Sequence, residues 1–221
     1  HQGQGIWIYG SESYPSDLKI QYVNIINGAE YGITFAGTST GSIENCNFYN
    51  NDFGAKFYDT VEVEVKNSNF VQCGTYGLGI YSMEPEIEIS YCNFWDNVND
   101  DLMENCPNWG IVWTPWEPQT APGLIYFNPL FTNPENNDFS YLTASPCIDA
   151  GDPNQFDMDD SRRDIGAYFI NSTLLIGDCN ADDSQNILDI LYIINNCILS
   201  EGILSDCECS DVNEDSIINV L

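Results

Sequence analysis

Apolar and polar residues alternate along the first half of the chain in short blocks, and the blocks recur. Four of them align: Ile20-Gln21-Tyr22-Val23-Asn24-Ile25, Ile43-Glu44-Asn45-Cys46-Asn47-Phe48, Val65-Lys66-Asn67-Ser68-Asn69-Phe70 and Ile89-Ser90-Tyr91-Cys92-Asn93-Phe94. Their starts are 23, 22 and 24 residues apart. Each is followed by a second block: Tyr31-Gly32-Ile33-Thr34-Phe35, Phe53-Gly54-Ala55-Lys56-Phe57, Tyr76-Gly77-Leu78-Gly79-Ile80 and Trp109-Gly110-Ile111-Val112-Trp113. Gly5-Ile6-Trp7-Ile8 fits the second block as the remnant of an earlier turn. Period-two alternation predicts strands with one buried face.

Two or three such strands per repeat cannot bury their faces alone, but stacked repeats form a continuous core. Equivalent strands then pair in parallel and in register, which makes a β-solenoid. Asn24, Asn47, Asn69 and Asn93 fall in one column, where amides about 4.8 Å apart hydrogen-bond up a ladder. Gly5, Gly32, Gly54, Gly77 and Gly110 form a second column, which marks either no room for a side chain or a positive φ. These blocks resemble the right-handed parallel β-helix family, the group that includes pectate lyases, over residues 5 to 131. The resemblance implies a mainly β fold, a right-handed single-stranded solenoid of 22–24 residues per turn. It implies no particular activity, because fold does not fix function.

The turns are assigned to residues 1–126. Residues 127–170, with Asn128-Pro129-Leu130-Phe131, Ser145-Pro146-Cys147-Ile148-Asp149 and Arg162-Arg163-Asp164-Ile165-Gly166, are similar to the closing segment that follows such β-helices in secreted bacterial proteins. A solenoid needs a cap over its last turn. The chain's only two arginines are expected to pin it by pairing with Asp149, Asp152, Asp157 or Asp164.

From residue 171 the pattern changes. Asp178, Asn180, Asp182, Ser184 (through its carbonyl), Asn186 and Asp189 stand at positions 1, 3, 5, 7, 9 and 12 of an oxygen-rich loop, a spacing that wraps Ca²⁺. An apolar run at helical spacing, Ile190 to Leu199, predicts a helix after it. A second copy begins 33 residues later with Asp211, Asn213, Asp215, Ile217 (carbonyl) and Asn219, and the chain stops before its position 12. The pair resembles a type I dockerin, a small α-helical EF-hand-like module. The resemblance implies Ca²⁺-dependent folding and docking onto a cohesin-like or cell-surface protein. Position 6, usually Gly, is Asp183 and Ser216; positions 10 and 11 of the first loop are Ile187 and Leu188 rather than polar recognition residues. Both ends read as cut from a larger protein.

Charge narrows the function classes. Against 34 Asp and Glu stand 5 Lys and Arg, a formal net charge of -29. That excludes a basic footprint for nucleic acid and argues against anionic lipid. No stretch is apolar enough for a membrane span. Nine cysteines and acidic, Asn-rich loops fit an oxidising, extracellular setting of bacterial type. Cys46 and Cys92 share a column with Ser68 between them, too far apart to bridge, and read as buried fillers. Cys179, Cys197, Cys207 and Cys209 allow three pairings. Cys106 and Cys147 are a candidate tie between a loop and the cap.

Chemistry is sparse. The step from first to second block lengthens in the fourth turn, so residues 98–107 read as an inserted loop carrying Asp100, Asp101 and Glu104. Trp95, Trp109, Trp113 and Trp116 flank it. Carboxylates beside aromatic rings suit sugars, and Asp96, Asp100, Asp101 and Glu104 are the candidate acids of a polysaccharide-degrading hydrolase or lyase. The blander reading is favoured: Trp109 and Trp113 as core, the carboxylates as solvated loop. Lys56 is expected to face outward, alone in its column between Thr34 and Gly79, and Glu62, Glu64, Glu86 and Glu88 to stack into an acidic stripe, a weak Ca²⁺ site at most. The single histidine, His1, leaves no triad. The sequence therefore points to a non-catalytic binding or spacer scaffold for polysaccharide, with a Ca²⁺-binding docking element behind it.

Overall fold

The computed structural model describes residues 5–81, 86–104, 114–118, 120–169 and 187–198. The chain divides into two compact units, His1–Ile170 and Asn171–Leu221.

The first unit winds through β1 (Ile6–Gly10), β2 (Asp17–Gln21) and β3 (Asn24–Ile26) in its first turn. The second turn is β4 (Tyr31–Gly37), β5 (Thr40–Glu44) and β6 (Asn47–Tyr49); the third is β7 (Phe53–Tyr58), β8 (Glu62–Lys66) and β9 (Asn69–Val71). The fourth is β10 (Tyr76–Tyr81), β11 (Glu86–Ser90) and β12 (Asn93–Trp95), and β13 (Asp100–Glu104) opens a fifth. Three parallel sheets result, ordered β1-β4-β7-β10-β13, β2-β5-β8-β11 and β3-β6-β9-β12. This is the parallel solenoid that the repeats predict, with Ile20, Ile43, Val65 and Ile89 in one register column.

Shape matching between turns fills the core. Phe48 stacks on Phe70 at 4.7 Å and Phe70 on Phe94 at 5.0 Å, nearly parallel and one per turn. A Cβ on Gly32, Gly54 or Gly77 would stand 3.0, 2.7 or 2.8 Å from those rings. The glycine column therefore answers to lack of room and not to a left-handed backbone. The left-handed positions lie at two other corners, Tyr22, Asn45, Asn67 and Tyr91, and Asn27, Asn50, Gln72 and Asp96, each with φ between 48° and 57°. Asn tolerates that region better than most residues.

The asparagine ladder forms as expected. Asn47 Nδ2 donates to Asn24 Oδ1 at 2.9 Å, Asn69 Nδ2 to Asn47 Oδ1 at 2.9 Å, and Asn93 Nδ2 to Asn69 Oδ1 at 3.0 Å. These amides point out of the third sheet, and Asn47, Asn69 and Asn93 are nevertheless fully buried.

What buries them corrects the sequence reading of residues 127–170. That segment does not close the end of the solenoid; it runs along its flank across the outer face of the third sheet. Asn93 exchanges two hydrogen bonds with the Phe127 backbone, Asn69 donates to Tyr141 Oη, Asn45 to the Asp164 carbonyl and Asn24 to Tyr168 Oη. Tyr49 and Val71 pack there with Phe131, Phe139, Tyr141, Cys147 and Ile165 in a second apolar cluster. Phe131–Asn133 (β15) pairs antiparallel with Asp138–Tyr141 (β16) within the segment. The physical reason is the column beside the core aromatics. Outward Asn and Tyr side chains offer more to cover than the last turn does. The end is covered instead by residues 114–118 and 120–125, where β14 (Thr114–Pro115) pairs antiparallel with β13 and Trp116, Ala121 and Leu124 pack on the core.

The arginines divide their work. Arg163 pairs with Asp157 at 2.8 Å, as expected, and also donates to Tyr22 Oη on the solenoid. Arg162 instead donates to the Gly151 and Ala150 carbonyls. Cys46 and Cys92 are buried thiols, as are Cys73 and Cys147. The proposed Cys106–Cys147 tie is thus absent: Cys147 is free, and its thiol donates to Asn69 Oδ1. Cys106 lies outside the described residues.

In the second unit α1 (Ile187–Tyr192) continues as a π-helical stretch, Ile193–Ile198. The helix predicted after the first loop is present. The loop ligands Asp178, Asn180, Asp182, Ser184 and Asn186, and Asp211 to Asn219, lie outside the described residues, as does the Asp189 side chain. Among the described residues no helix is long and apolar enough to cross a membrane.

Replacing Asn69 by Ala removes the donor to the buried Asn47 Oδ1 and takes one partner each from the Asn93 amide, the Tyr141 hydroxyl and the Cys147 thiol. The expected loss is about 2–4 kcal/mol of unfolding free energy, measured by urea titration. Asn27→Ala, at an exposed corner, is expected to cost under about 1 kcal/mol by the same measurement.

Candidate functional site

Of the solenoid's three lateral faces, the third is covered by the flank segment, and the other two differ in chemistry. The second-sheet face carries the acidic stripe: Glu62 stands in register with Glu86 and Glu64 with Glu88. With Asp17, Lys19, Thr40 and Ser42 they line a cleft of about 500 Å³. Lys66, two residues on from Glu64, pairs with it at 2.9 Å and with Asp152 of the flank segment at 3.4 Å. Among the described residues no group of three or more His, Cys, Asp or Glu side chains is arranged to hold a metal.

The first-sheet face is aromatic. Its central outward column reads Trp7, Thr34, Lys56, Gly79 and Met103. Tyr31, Phe53 and Tyr76 stand in register at the strand starts, and Tyr9, Tyr58 and Tyr81 at the strand ends. Thr34 and Ala36 are small, which lets the rings of neighbouring turns close over them; both are buried, and Thr34 Oγ1 has no hydrogen-bond partner. Trp7 stacks on Tyr58 at 6.1 Å and meets Tyr31 edge-on at 6.3 Å; Tyr31 lies 5.9 Å from Phe53, Phe53 5.4 Å from Tyr76, and Tyr58 5.3 Å from Tyr81. Trp7 and Tyr9 remain exposed by 51% and 62%, enough surface for a ligand to stack on.

Lys56 lies among these rings, its Nζ 4.1 Å from the Phe53 centroid, 4.9 Å from Tyr31 and 5.1 Å from Tyr58. Burial drives its pKa down to about 8, against the pull of Asp52 and Glu30. Tyr58 is pushed well up, by burial first and then by its hydrogen bond with Tyr31. Lys56 does occupy the outward column between Thr34 and Gly79, but it is buried among aromatics rather than solvated.

The four candidate carboxylates are placed as follows. Of the inserted loop expected over 98–107, the described part, 98–104, is not a loop but leads into β13; residues 105–107 lie outside the described residues. Tyr76 pairs with Asp100 and Leu78 with Leu102, so β13 is the fifth strand of the first sheet and keeps the repeat length. The spacing was hidden because Asp101 stands where earlier turns have glycine. Residues 109–113, expected there, lie outside the described residues. Asp101 is half-buried and accepts Asn97 Nδ2 at 2.7 Å; burial raises its pKa, and Asp100 adds to the rise. Asp100 is exposed beyond Tyr76 and accepts the Asp101 backbone N–H. The two are brought together beside Tyr126, whose pKa they and its burial raise. Glu104, paired through its backbone with Thr114, is four residues on, about 13 Å along the strand. Asp96 is a left-handed corner residue that accepts Gln72 Nε2 at 3.3 Å. Trp116 packs on the core and Trp95 is exposed. The aromatic face escaped the sequence reading, although its signal was present in the ring at the start of each second block and in Trp7, Tyr58 and Tyr81.

A three-faced parallel solenoid with an aromatic side, an acidic side and a covered side defines the class as a β-helix. Residues 2–112 match the family described as "Right handed beta helix region", half of the chain, and the chain belongs to that family. No curated protein and no solved structure matches it.

Asp101→Asn keeps an acceptor for Asn97 and removes the buried charge. A raised folded-state pKa means that the protonated Asp101 stabilises and that this contribution is lost as pH rises through its titration. The variant's stability advantage over the parent is therefore expected to grow as pH rises above the ordinary carboxylate range of about 4, read from urea unfolding at each pH. A constant difference contradicts the assignment.

Proposed function

We propose that this chain is a secreted, non-catalytic β-helix scaffold that holds a polysaccharide on the aromatic face of its first sheet, and that segment 171–221 binds Ca²⁺ as a docking element. One observation carries the first part. A chain with a net charge of -29 keeps one lateral face paved with Trp7, Tyr9, Tyr31, Tyr58 and Tyr81. Exposed aromatic surface on so charged a protein marks an interaction site, and aromatic rings suit the apolar faces of pyranose rings. The rungs repeat at about 4.8 Å, close to the advance of an extended pyranose chain, so successive rings meet successive sugars. The charge disfavours a polyuronate.

The calcium reading rests on the spacing of Asp178, Asn180, Asp182, Ser184, Asn186 and Asp189 and on α1 beginning at Ile187, inside the end of that loop. Its partner, in this reading, is a cohesin-like or cell-surface protein, reached outside the cell.

Trp7→Ala and Tyr58→Ala are each expected to weaken binding to soluble neutral polysaccharides roughly tenfold, measured by affinity electrophoresis or calorimetry; unchanged retardation of both variants contradicts the aromatic-face site. For calcium, the full chain is expected to bind it in titration calorimetry and to lose a melting transition in EDTA, and Asp178→Ala with Asp182→Ala to abolish both. Identical melts with and without EDTA contradict the second part.

A further inference from the structure

We propose that two copies of this chain join end to end through their first turns, β2 of each copy pairing antiparallel with β2 of the other about a two-fold axis. The contact uses an end of the solenoid and does not rest on the polysaccharide reading.

β1, β2 and β3 are each the terminal strand of their sheet. One edge of each therefore presents backbone N–H and C=O groups away from the following turn. The core behind these edges is partly bare. Ile6 heads the inward column continued by Ile33, and is 40% exposed where Ile33 is fully buried. Ile25 heads the column of Phe48 and is half-buried where Phe48 is fully buried. Free edges are usually blunted by charge or proline, and β1 (Ile6–Gly10) and β3 (Asn24–Ile26) carry neither. The opposite end has its cover in residues 114–118 and 120–125; among the described residues no strand pairs with the free edges of the first turn.

Charge identifies the partner as a second copy. The chain carries a net charge of -29, yet between Gly5 and Gly28 only Glu12, Asp17 and Lys19 are charged, so two first turns meet with little repulsion. Asp17 and Lys19 flank Leu18 on β2, and both are exposed on the outer face. In an antiparallel pair centred on Leu18, Asp17 stands opposite Lys19 of the second copy, and Lys19 opposite its Asp17. One short sequence thus supplies two cross-strand ion pairs to itself. Among the described residues Lys19 has no ion pair, and Asp17 accepts only the Thr40 hydroxyl, through Oδ1.

The geometry of a spiral allows the joint. A two-fold axis perpendicular to the second sheet at Leu18 exchanges the other two sides of the prism, so β1 of each copy faces β3 of the other, again antiparallel. The rotation also exchanges the leading strand of the turn with the trailing one. The step of the spiral is therefore matched, and all three sheets continue across the joint at the ordinary spacing of about 4.8 Å. Such an isologous contact uses each first turn once and closes at two copies.

The test is sedimentation equilibrium of the full chain in about 0.15 M salt, where long-range repulsion is screened. The mass is expected to double between about 1 μM and about 1 mM chain and to go no higher. Asp17→Lys and Lys19→Glu, each with unchanged circular dichroism, are expected to weaken association at least about tenfold, because each places like charges opposite one another. An equimolar mixture of the two variants restores both ion pairs and is expected to dimerise as the parent does. A parent that stays monomeric throughout, or whose mass grows past two copies, overturns the proposal. So does a dimer that either variant leaves unweakened, or a mixture that associates no better than its components. Because no readout involves a glycan, this proposal and the polysaccharide reading fail separately.

Discussion

Register between turns is the constraint on which the rest of the structure depends. Every stabilising feature of the first unit is a column: phenylalanine on phenylalanine inside, asparagine on asparagine outside, left-handed corners above one another. A slip by one residue would turn each strand's apolar side outward. It would also unpair an amide ladder that has no water to fall back on, since three of its members are fully buried. A buried amide without a partner is more costly than its hydrogen bond is favourable, so the ladder acts chiefly by penalising every other alignment.

The flank segment follows from that ladder. Ladder amides keep hydrogen-bonding capacity after serving their neighbours, and residues 127–168 take it up: Asn93 bonds the Phe127 backbone, Asn69 bonds Tyr141 and Asn24 bonds Tyr168, while Gln155 accepts from the corner residue Asn67. The segment thereby spans all four turns and ties them together, with Arg163 bridging Asp157 and Tyr22 as an additional link. Covering one side of the prism leaves two sides open to solvent. Their chemistry is sorted, glutamates on one and aromatic rings on the other. The proposed ligand-holding role falls on the aromatic side because its composition departs furthest from what a chain of this charge needs for solubility.

Much of the fold was legible because columns leave their mark in the sequence. Asn24, Asn47, Asn69 and Asn93 announced the stacking, and Ile20, Ile43, Val65 and Ile89 its inner side. The fifth turn was misread where one residue broke the pattern: Asp101 replaces a glycine, and Trp109-Gly110 supplied a false match further on. The placement of the 127–168 segment was not legible, since nothing local distinguishes a strand that covers an end from one that covers a side; only the unmet hydrogen bonds of the outward asparagines do. The aromatic face was written in Trp7, Tyr31, Tyr58 and Tyr81, but their alternation partners, the core aliphatics, carried the stronger signal. The environment of Lys56 depends on the smallness of Thr34 and Gly79 one turn away on each side, which spacing alone does not weigh.

The stacked, buried ladder is tested most directly by nuclear magnetic resonance of the asparagine side-chain amides. The account predicts an unbroken chain of nuclear Overhauser contacts from Asn24 to Asn47 to Asn69 to Asn93, with the amide protons of Asn47, Asn69 and Asn93 exchanging with solvent only on the timescale of global unfolding. Contacts missing between successive members, or amide protons lost to deuterium as fast as those of the exposed Asn27, would contradict it.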